Sequence, residues 1–386
     1  MSYFLWVFQL GRHYQEVYKT FDPEGDLLLV LSRVSDEEIT QNYENQDNEN
    51  TDDDTGKTLK PMQELYSAEE IRMLVSSKHM KLASPVFKAM LREDYFKEGL
   101  ELGSTGKAEI SLPDDDPDAF AILLNIIHGR TRQVPRDVDL DLLSRISTLV
   151  DKYQLHEVVE IMSDRWIALL ESDIPEEFTD DLQAWLSISW VFEKPRIFRE
   201  VTKIAERQSR GRVGEDRDDI PIPGRVLDAI QERRLTAIAD AYSIVASLIN
   251  NGKHHCTAPR RNPYDCSAMI LGTLLQSSVA LGIFPVPDLH DTDLTFDSVI
   301  SLIRKVHVVS LCDSISPFKG FEYHHWSTHG VKQAIDTQLM DLEKRLCGLE
   351  LDVFKKGKKI QTASTDSSSD EPQPLSLTMT QLAESI

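Results

Sequence analysis

Apolar residues along the chain fall into short runs that predict strands in the N-terminal part and helices elsewhere. The runs at 26–31, 71–75 and 109–113 are bounded by turn residues and lack helical spacing, which predicts three strands. We expect the first two strands to lie side by side beneath helices. The polar segment between them is then a long insertion in a hairpin loop, which is tolerated because closure entropy grows only with the logarithm of loop length.

Helical spacing of apolar residues, together with capping residues, predicts most of the remaining chain to be helical. Ser84 before Pro85 and Asp116 before Pro117 each predict a helix start, and Gly129 predicts the end of the second of these helices. Residues 1–20 are predicted to form a short amphipathic helix. The other predicted helices cover about 138–150 and 156–169, two stretches within 178–208, and then 225–250, 264–281, 293–308 and 330–347.

Composition divides the chain into a mixed α+β part and a mainly α-helical part. Residues 35–56 carry nine acidic side chains and no Lys or Arg, and such a polar segment cannot offset its ordering entropy by burial. A polar and then Pro-rich stretch at 209–224 indicates a domain boundary. The predicted organisation is an N-terminal extension at 1–20, a domain at 21–170 with a disordered insertion at 35–66, a helical extension at 171–210, a helical C-terminal domain at 220–352 and a disordered tail at 353–386.

Charge and motif content narrow the class of function. The net charge of −22 repels phosphate backbones and anionic lipids, so we expect no direct nucleic-acid partner and no membrane partner. The four cysteines do not suggest a disulfide framework, and we expect a cytoplasmic or nuclear protein. The sequence lacks the Gly-rich phosphate-binding signatures and the G-x-S-x-G hydrolase signature, so we predict no catalytic residues and no enzymatic activity.

Several segments resemble a BTB/POZ domain of the type common in filamentous-fungal proteins. The resemblance rests on the segments 25–31 (GDLLLVL), 75–79 (VSSKH), 82–90 (LASPVFKAM), 112–120 (LPDDDPDAF), 127–129 (IHG) and 149–153 (LVDKY). It implies a BTB/POZ fold, a small mixed sheet covered by helices, over about 21–170, and a protein-binding scaffold that docks partners and forms homodimers. The N-terminal segment 1–20 is then a candidate for the dimer-forming helix and strand, with a flexible N-terminus as the alternative.

The resemblance also implies a candidate partner-binding element at Phe96 and Glu98. The spacing is similar to the hydrophobic-x-Glu element through which some BTB domains dock onto cullin-type ubiquitin ligases as substrate adaptors. An apolar side chain there would enter a groove of the partner while the carboxylate fixes the register. The alternative is a solvent-exposed loop in which both residues are incidental.

A second candidate site lies in the C-terminal half. Cys256, Cys266, His325 and His329 are thiol and imidazole side chains of the kind that bind zinc, and the two histidines are four residues apart, on one face of a helix. Nine residues separate the two cysteines, which is longer than the usual zinc knuckle. That spacing favours buried thiols and hydrogen-bonded rings without a cofactor, and a zinc-binding helical module is the alternative.

The three consecutive aspartates at 114–116 allow two interpretations. They could hold a cation, or they could serve the helix that starts at Pro117, because carboxylates at a helix N-terminus accept backbone hydrogen bonds and interact favourably with the macrodipole. The sequence favours the capping interpretation.

Overall fold

The computed structural model describes residues 16–34, 68–214, 221–252, 256, 262–288, 294–312 and 327–355. The predicted disordered insertion at 35–66, residues 1–15 and most of the predicted disordered tail lie outside the described residues. Among the described helices, none is long and apolar enough to cross a membrane.

The described residues form a mixed sheet with the strand order β1-β3-β2-β4. Its strands are β1 (Glu16–Thr20), β2 (Leu27–Val34), β3 (Ala68–Val75) and β4 (Ala108–Leu112). β2 and β3 are antiparallel, with Leu27 opposite Val75, while β4 runs parallel to β2 and β1 runs parallel to β3. The prediction that the segments 26–31 and 71–75 lie side by side is confirmed.

Alternation of side chains fixes which face of the sheet is buried. Leu27, Leu29 and Leu31 of β2 are fully buried, as are Ile71 and Met73 of β3, while the residues between them are partly exposed. In a strand, successive side chains point to opposite faces, so these residues form one apolar face against the helices. Each such side chain contributes about 1.5–3 kcal/mol on burial.

The predicted helix at 1–20 is wrong for the residues that the structure describes. Glu16–Thr20 is a strand that pairs in parallel with β3, with Val17 opposite Ile71. Five residues of mixed polarity satisfy a helical pattern as well as a strand pattern. The segment forms a strand rather than a helix because β3 has a free edge with which it can pair.

The helices that follow β3 pack in the same apolar cluster as the buried face of the sheet. They are α1 (Ser77–Ala83), α2 (Pro85–Met90), α3 (Lys97–Thr105), α4 (Pro117–Ile127), α5 (Leu140–Tyr153) and α6 (His156–Leu170). Both predicted N-caps are confirmed: the Ser84 hydroxyl accepts from the Phe87 amide at 3.0 Å, and the Asp116 carboxylate accepts from the Ala119 amide at 2.7 Å. The predicted end of α4 is confirmed as well, since Gly129 follows it with φ +67°.

The remaining helices belong to the helical part of the chain. They are α7 (Asp180–Val191), α8 (Pro195–Gln208), α9 (Gly224–Asn251), α10 (Pro263–Ala280), α11 (Phe296–Arg304) and α12 (Val331–Arg345). The predicted fold class, a small mixed sheet with helices followed by a mainly helical region, is confirmed.

Buried apolar side chains form two clusters among the described residues. The first extends from Phe21 to Ile230 and includes Leu349 and Leu351, and the second extends from Ala237 to Leu346. α9 contributes its first half to the first cluster and its second half to the other. The clusters therefore meet within this helix, and the boundary indicated by composition at 209–224 stays a prediction.

Candidate functional site

The first candidate site is a surface at the start of α3, which we call the α3 surface and define by Tyr95, Phe96, Glu98 and Leu100. Phe96 is the N-cap residue of α3, and Glu98 lies in its first turn. Tyr95 is 73% exposed and Leu100 is 55% exposed, while Phe96 and Glu98 are partly exposed. The surface thus combines apolar side chains with one carboxylate.

Close backbone packing holds the α3 surface in place. Gly99 is buried in α3, and a Cβ atom there would lie 1.8 Å from the carbonyl oxygen of Arg92. Only glycine permits this approach, so α3 packs directly onto the turn that precedes it. The Arg92 guanidinium lies 5.5 Å from the centre of the Tyr95 ring, within cation–π distance.

Sequence reasoning identified Phe96 and Glu98 but missed Tyr95 and Leu100. The predicted helices did not include this region, whereas the structure shows that Lys97–Thr105 is helical. This helix contains two glycines and few apolar residues, so its sequence shows no clear helical periodicity. The predicted partner-binding role of Phe96 and Glu98 stays a prediction.

The second candidate site is a cluster of three thiols and one imidazole, which we call the Cys3His cluster: Cys256, Cys266, Cys312 and His329. Their ligand atoms all lie within 4.8 Å of one another. The Sγ of Cys312 is 3.7 Å from the Sγ of Cys256 and 3.9 Å from the Sγ of Cys266. The Nε2 of His329 lies 3.3 Å from the Sγ of Cys266. None of the three cysteines is in a disulfide bond.

Four separate segments bring these side chains together. Cys266 lies in the first turn of α10, whose start is fixed by the Asn262 side chain accepting from the Tyr264 amide. Cys256 follows the end of α9, and Cys312 follows α11, where its amide donates to the Ser310 hydroxyl at 3.2 Å. His329 lies in a 3₁₀ turn directly before α12.

The Cys3His cluster lies against the second apolar cluster and is largely removed from water. Cys256 is 6% exposed and Cys266 is fully buried, while Cys312 and His329 are partly buried. Burial, with hydrogen bonding to the Cys256 and Cys266 thiols, raises the pKa of Cys312 to about 12. Without a cation nearby, the Cys312 thiol is therefore neutral at physiological pH.

The sequence-based candidates for this cluster lacked one of its residues. The structure brings Cys256, Cys266 and His329 together, while His325 lies outside the described residues, and their role in metal binding stays a prediction. The residue that sequence reasoning missed is Cys312. Cys312 is separated from Cys266 by 45 residues, so the two cysteines do not form a short sequence motif. The one indication in the sequence that Cys312 could join the cluster is that it is a cysteine.

The described sheet with its helices is typical of an α+β module. Residues 69–168 match the family model of the BTB/POZ domain. The match covers β3, β4 and helices α1 to α5 with most of α6, while β1 and β2 join the same sheet from outside it. Neither a search of curated proteins nor a search of solved structures found a match.

This part of the chain is a BTB/POZ domain, as the resemblance of its segments indicated. BTB/POZ domains are protein-interaction modules, and the domain therefore supports a role in protein–protein interaction for the chain in general.

Proposed function

We propose that this protein is an interaction scaffold that acts by binding other proteins rather than by catalysis. Its BTB/POZ domain self-associates, and its α3 surface docks a partner protein. The observation that supports docking most is the pair of exposed apolar side chains, Tyr95 and Leu100, beside the partly exposed Phe96 and Glu98. Aromatic side chains that become buried at the centre of an interface carry much of its binding energy.

Charge favours a protein partner over a nucleic acid. With a net charge of −22, the chain lacks the excess of basic residues that neutralises phosphates. Glu98 suits a partner with a basic or amide group beside an apolar groove. Cysteines that are not in disulfide bonds fit the reducing environment of the cytoplasm or nucleus, where we place the protein.

Self-association is supported by the position of β1. β1 is an edge strand of the described sheet, and it carries Tyr18, which is 58% exposed. An edge strand offers backbone donors and acceptors to a strand of another chain. We propose that a second copy of the protein pairs along this edge.

Mass-resolved chromatography of the full-length protein tests self-association. We expect a mass near twice that of the 43.9 kDa chain. Tyr18→Lys should shift the protein toward a single chain, because it adds charge at the paired edge. Tyr264→Lys, at a tyrosine that is 79% exposed on α10, should leave the mass unchanged. A wild-type protein that stays a single chain at all concentrations would refute this part of the proposal.

A second candidate function is substrate adaptor of a cullin-type ubiquitin ligase. The observation that favours it is the location of Phe96 and Glu98 at the N-terminus of α3, with both side chains partly exposed and held on an ordered helix. In this case the partner at the α3 surface is the cullin, and the helical C-terminal half holds the substrate.

Binding of purified cullin to the full-length protein separates the two functions. An adaptor should bind, and Phe96→Ala or Glu98→Ala should each weaken binding by at least about 2 kcal/mol, or roughly 30-fold in Kd, as expected for central interface residues. Ile161→Ala is the matched control, because Ile161 is 84% exposed on α6 of the same domain. Absence of cullin binding by the wild-type protein excludes the adaptor function and leaves the scaffold function intact.

A further inference from the structure

The Cys3His cluster has the composition of a closed zinc site. Three thiols and one imidazole are a ligand set that zinc uses in structural sites, where four protein ligands fill a tetrahedron. Soft thiolate ligands select zinc over magnesium or calcium, which prefer oxygen ligands. With four protein ligands, no position stays open for a water or a substrate.

Three of the distances between the ligand atoms are close to those in a tetrahedron around one ion. Zn–S bonds of about 2.3 Å place two sulfur atoms about 3.8 Å apart across a tetrahedral angle, and a Zn–N bond of about 2.0–2.1 Å places the nitrogen about 3.5 Å from a sulfur. The observed Sγ–Sγ distances from Cys312 are 3.7 and 3.9 Å. The observed distance from the Sγ of Cys266 to the Nε2 of His329 is 3.3 Å.

A disulfide accounts for the cluster less well. A disulfide needs two sulfur atoms about 2.0 Å apart, and pairing two of the three thiols would leave the third thiol and the imidazole without a role. None of the three cysteines is in a disulfide bond, and the Sγ of Cys312 is nearly equidistant from both of the others. Convergence of three sulfurs on a common centre is the arrangement that a single ion requires.

The backbone at His329 supports a specific role for its ring. His329 has φ +50°, in the left-handed region that few residues other than glycine adopt, and Gly330 follows with φ +78°. Residues held in this region persist where the surrounding structure fixes them, and they are frequent at ligand-binding positions. Here the turn directs the imidazole toward the three thiols.

We propose that Cys256, Cys266, Cys312 and His329 together bind one structural Zn²⁺ ion. The ion joins the end of α9, the start of α10, the segment after α11 and the start of α12. These segments are separated in sequence by up to 45 intervening residues, so the ion closes long loops at one edge of the second apolar cluster. Zinc binding then contributes directly to the folding free energy of the helical C-terminal half.

Metal analysis of the full-length protein, purified without a histidine tag from zinc-supplemented cells, tests the proposal. We expect close to one zinc per chain. Cys312→Ser should reduce zinc at least tenfold, because it removes one of four ligands. Cys347→Ser is the matched control, since Cys347 is an exposed cysteine in the same half of the chain and lies outside the cluster. It should retain the full zinc content.

A second measurement uses only the wild-type protein, so its result does not depend on whether a variant folds. In the native protein, a thiol-alkylating reagent should modify Cys347 rapidly and the three cluster cysteines at least tenfold more slowly, and a strong zinc chelator should abolish that protection. The proposal is overturned if the protein contains less than a tenth of a zinc per chain and the chelator does not change the alkylation rates. Full zinc content in Cys312→Ser overturns this ligand set, and another metal at that stoichiometry overturns the assignment of zinc.

Discussion

The three consecutive aspartates at 114–116 occupy three different environments. Asp114 is exposed, Asp116 caps α4, and Asp115 is 4% exposed. The Asp115 carboxylate accepts from Lys152 at 2.6 Å and from the Tyr153 hydroxyl. Burial, and then hydrogen bonding to Asp115, raises the pKa of Tyr153 above its usual range. The capping role could be predicted from the neighbouring Pro117, whereas the buried role depends on α5.

His128 is a partly buried side chain that links the end of α4 to the end of β3. Its Nδ1 lies 2.9 Å from the Leu124 carbonyl oxygen, and its Nε2 accepts from the Ser76 amide at 3.1 Å. This pattern assigns a neutral ring with its proton on Nδ1, because a protonated ring cannot accept from Ser76. Desolvation is the largest influence and lowers the pKa of His128 below its ordinary value.

A lowered pKa makes folding stability depend on pH in a defined direction. The unfolded state binds the proton more readily than the folded state, so the contribution of His128 is fully present above about pH 6.5, the ordinary histidine pKa, and is lost as the pH falls toward the folded pKa. Urea unfolding between pH 8 and pH 5 should show this loss of stability. His128→Gln should show a smaller loss over the same range.

The control for this experiment is His307→Gln, because His307 is exposed. Its pH dependence should match that of the wild-type protein. A pH dependence in His128→Gln that equals the wild-type dependence would contradict the assigned role of this ring.

At the scale of elements, α4 illustrates how local chemistry sets a helix start. Asp116 accepts from the Ala119 amide and also pairs with the Arg145 guanidinium at 2.8 Å. Asp116→Ala should lower the free energy of unfolding by about 0.5–2 kcal/mol, the usual effect of losing an N-cap. Asp114→Ala is the matched control and should change stability by no more than about 0.5 kcal/mol, since its side chain is exposed. Equal effects of the two substitutions in chemical denaturation would contradict the capping interpretation.

The elements that sequence reasoning assigned wrongly are those whose own pattern is weak. α3 contains Gly99, which helical propensity disfavours, yet close packing against Arg92 requires a glycine there. β1 carries few apolar residues and becomes a strand because β3 has a free edge. Helices with a cap and an apolar stripe, such as α4 and α5, were predicted correctly.

At the scale of the whole molecule, the segment after α12 returns to the first apolar cluster and joins the two halves of the chain. Leu349 and Leu351 are buried there, and the Leu349 amide donates to the Thr202 hydroxyl at 2.8 Å. The Gly348 amide donates to the buried Glu206 carboxylate at 3.1 Å. These contacts fasten the C-terminal segment to α8.

Gly348 is the residue that makes this close contact feasible. It has φ +88°, and a Cβ atom would lie 2.0 Å from the Arg199 carbonyl oxygen. Gly348→Ala should destabilise the protein by at least about 1–3 kcal/mol from backbone strain alone. Gly272→Ala, in α10 where the added carbon would meet no atom within 4 Å apart from the backbone of its own helix, should instead stabilise the protein by about 0.5–1 kcal/mol. Thermal unfolding of both variants measures the difference, and a Gly348→Ala variant as stable as the wild-type protein would contradict the fastening role.

The sequence by itself determined the strands at 26–31 and 71–75, the caps at Ser84 and Asp116, the helical character of the C-terminal half and the BTB/POZ resemblance. These features follow from local hydrogen bonds and from the period of apolar residues, which a single segment contains. Only the tertiary structure decided the parallel pairing of β1, the burial of Asp115 and the approach of Cys312 to the other cysteines. Each of these depends on a contact between segments far apart in the chain, and no local pattern encodes such a contact.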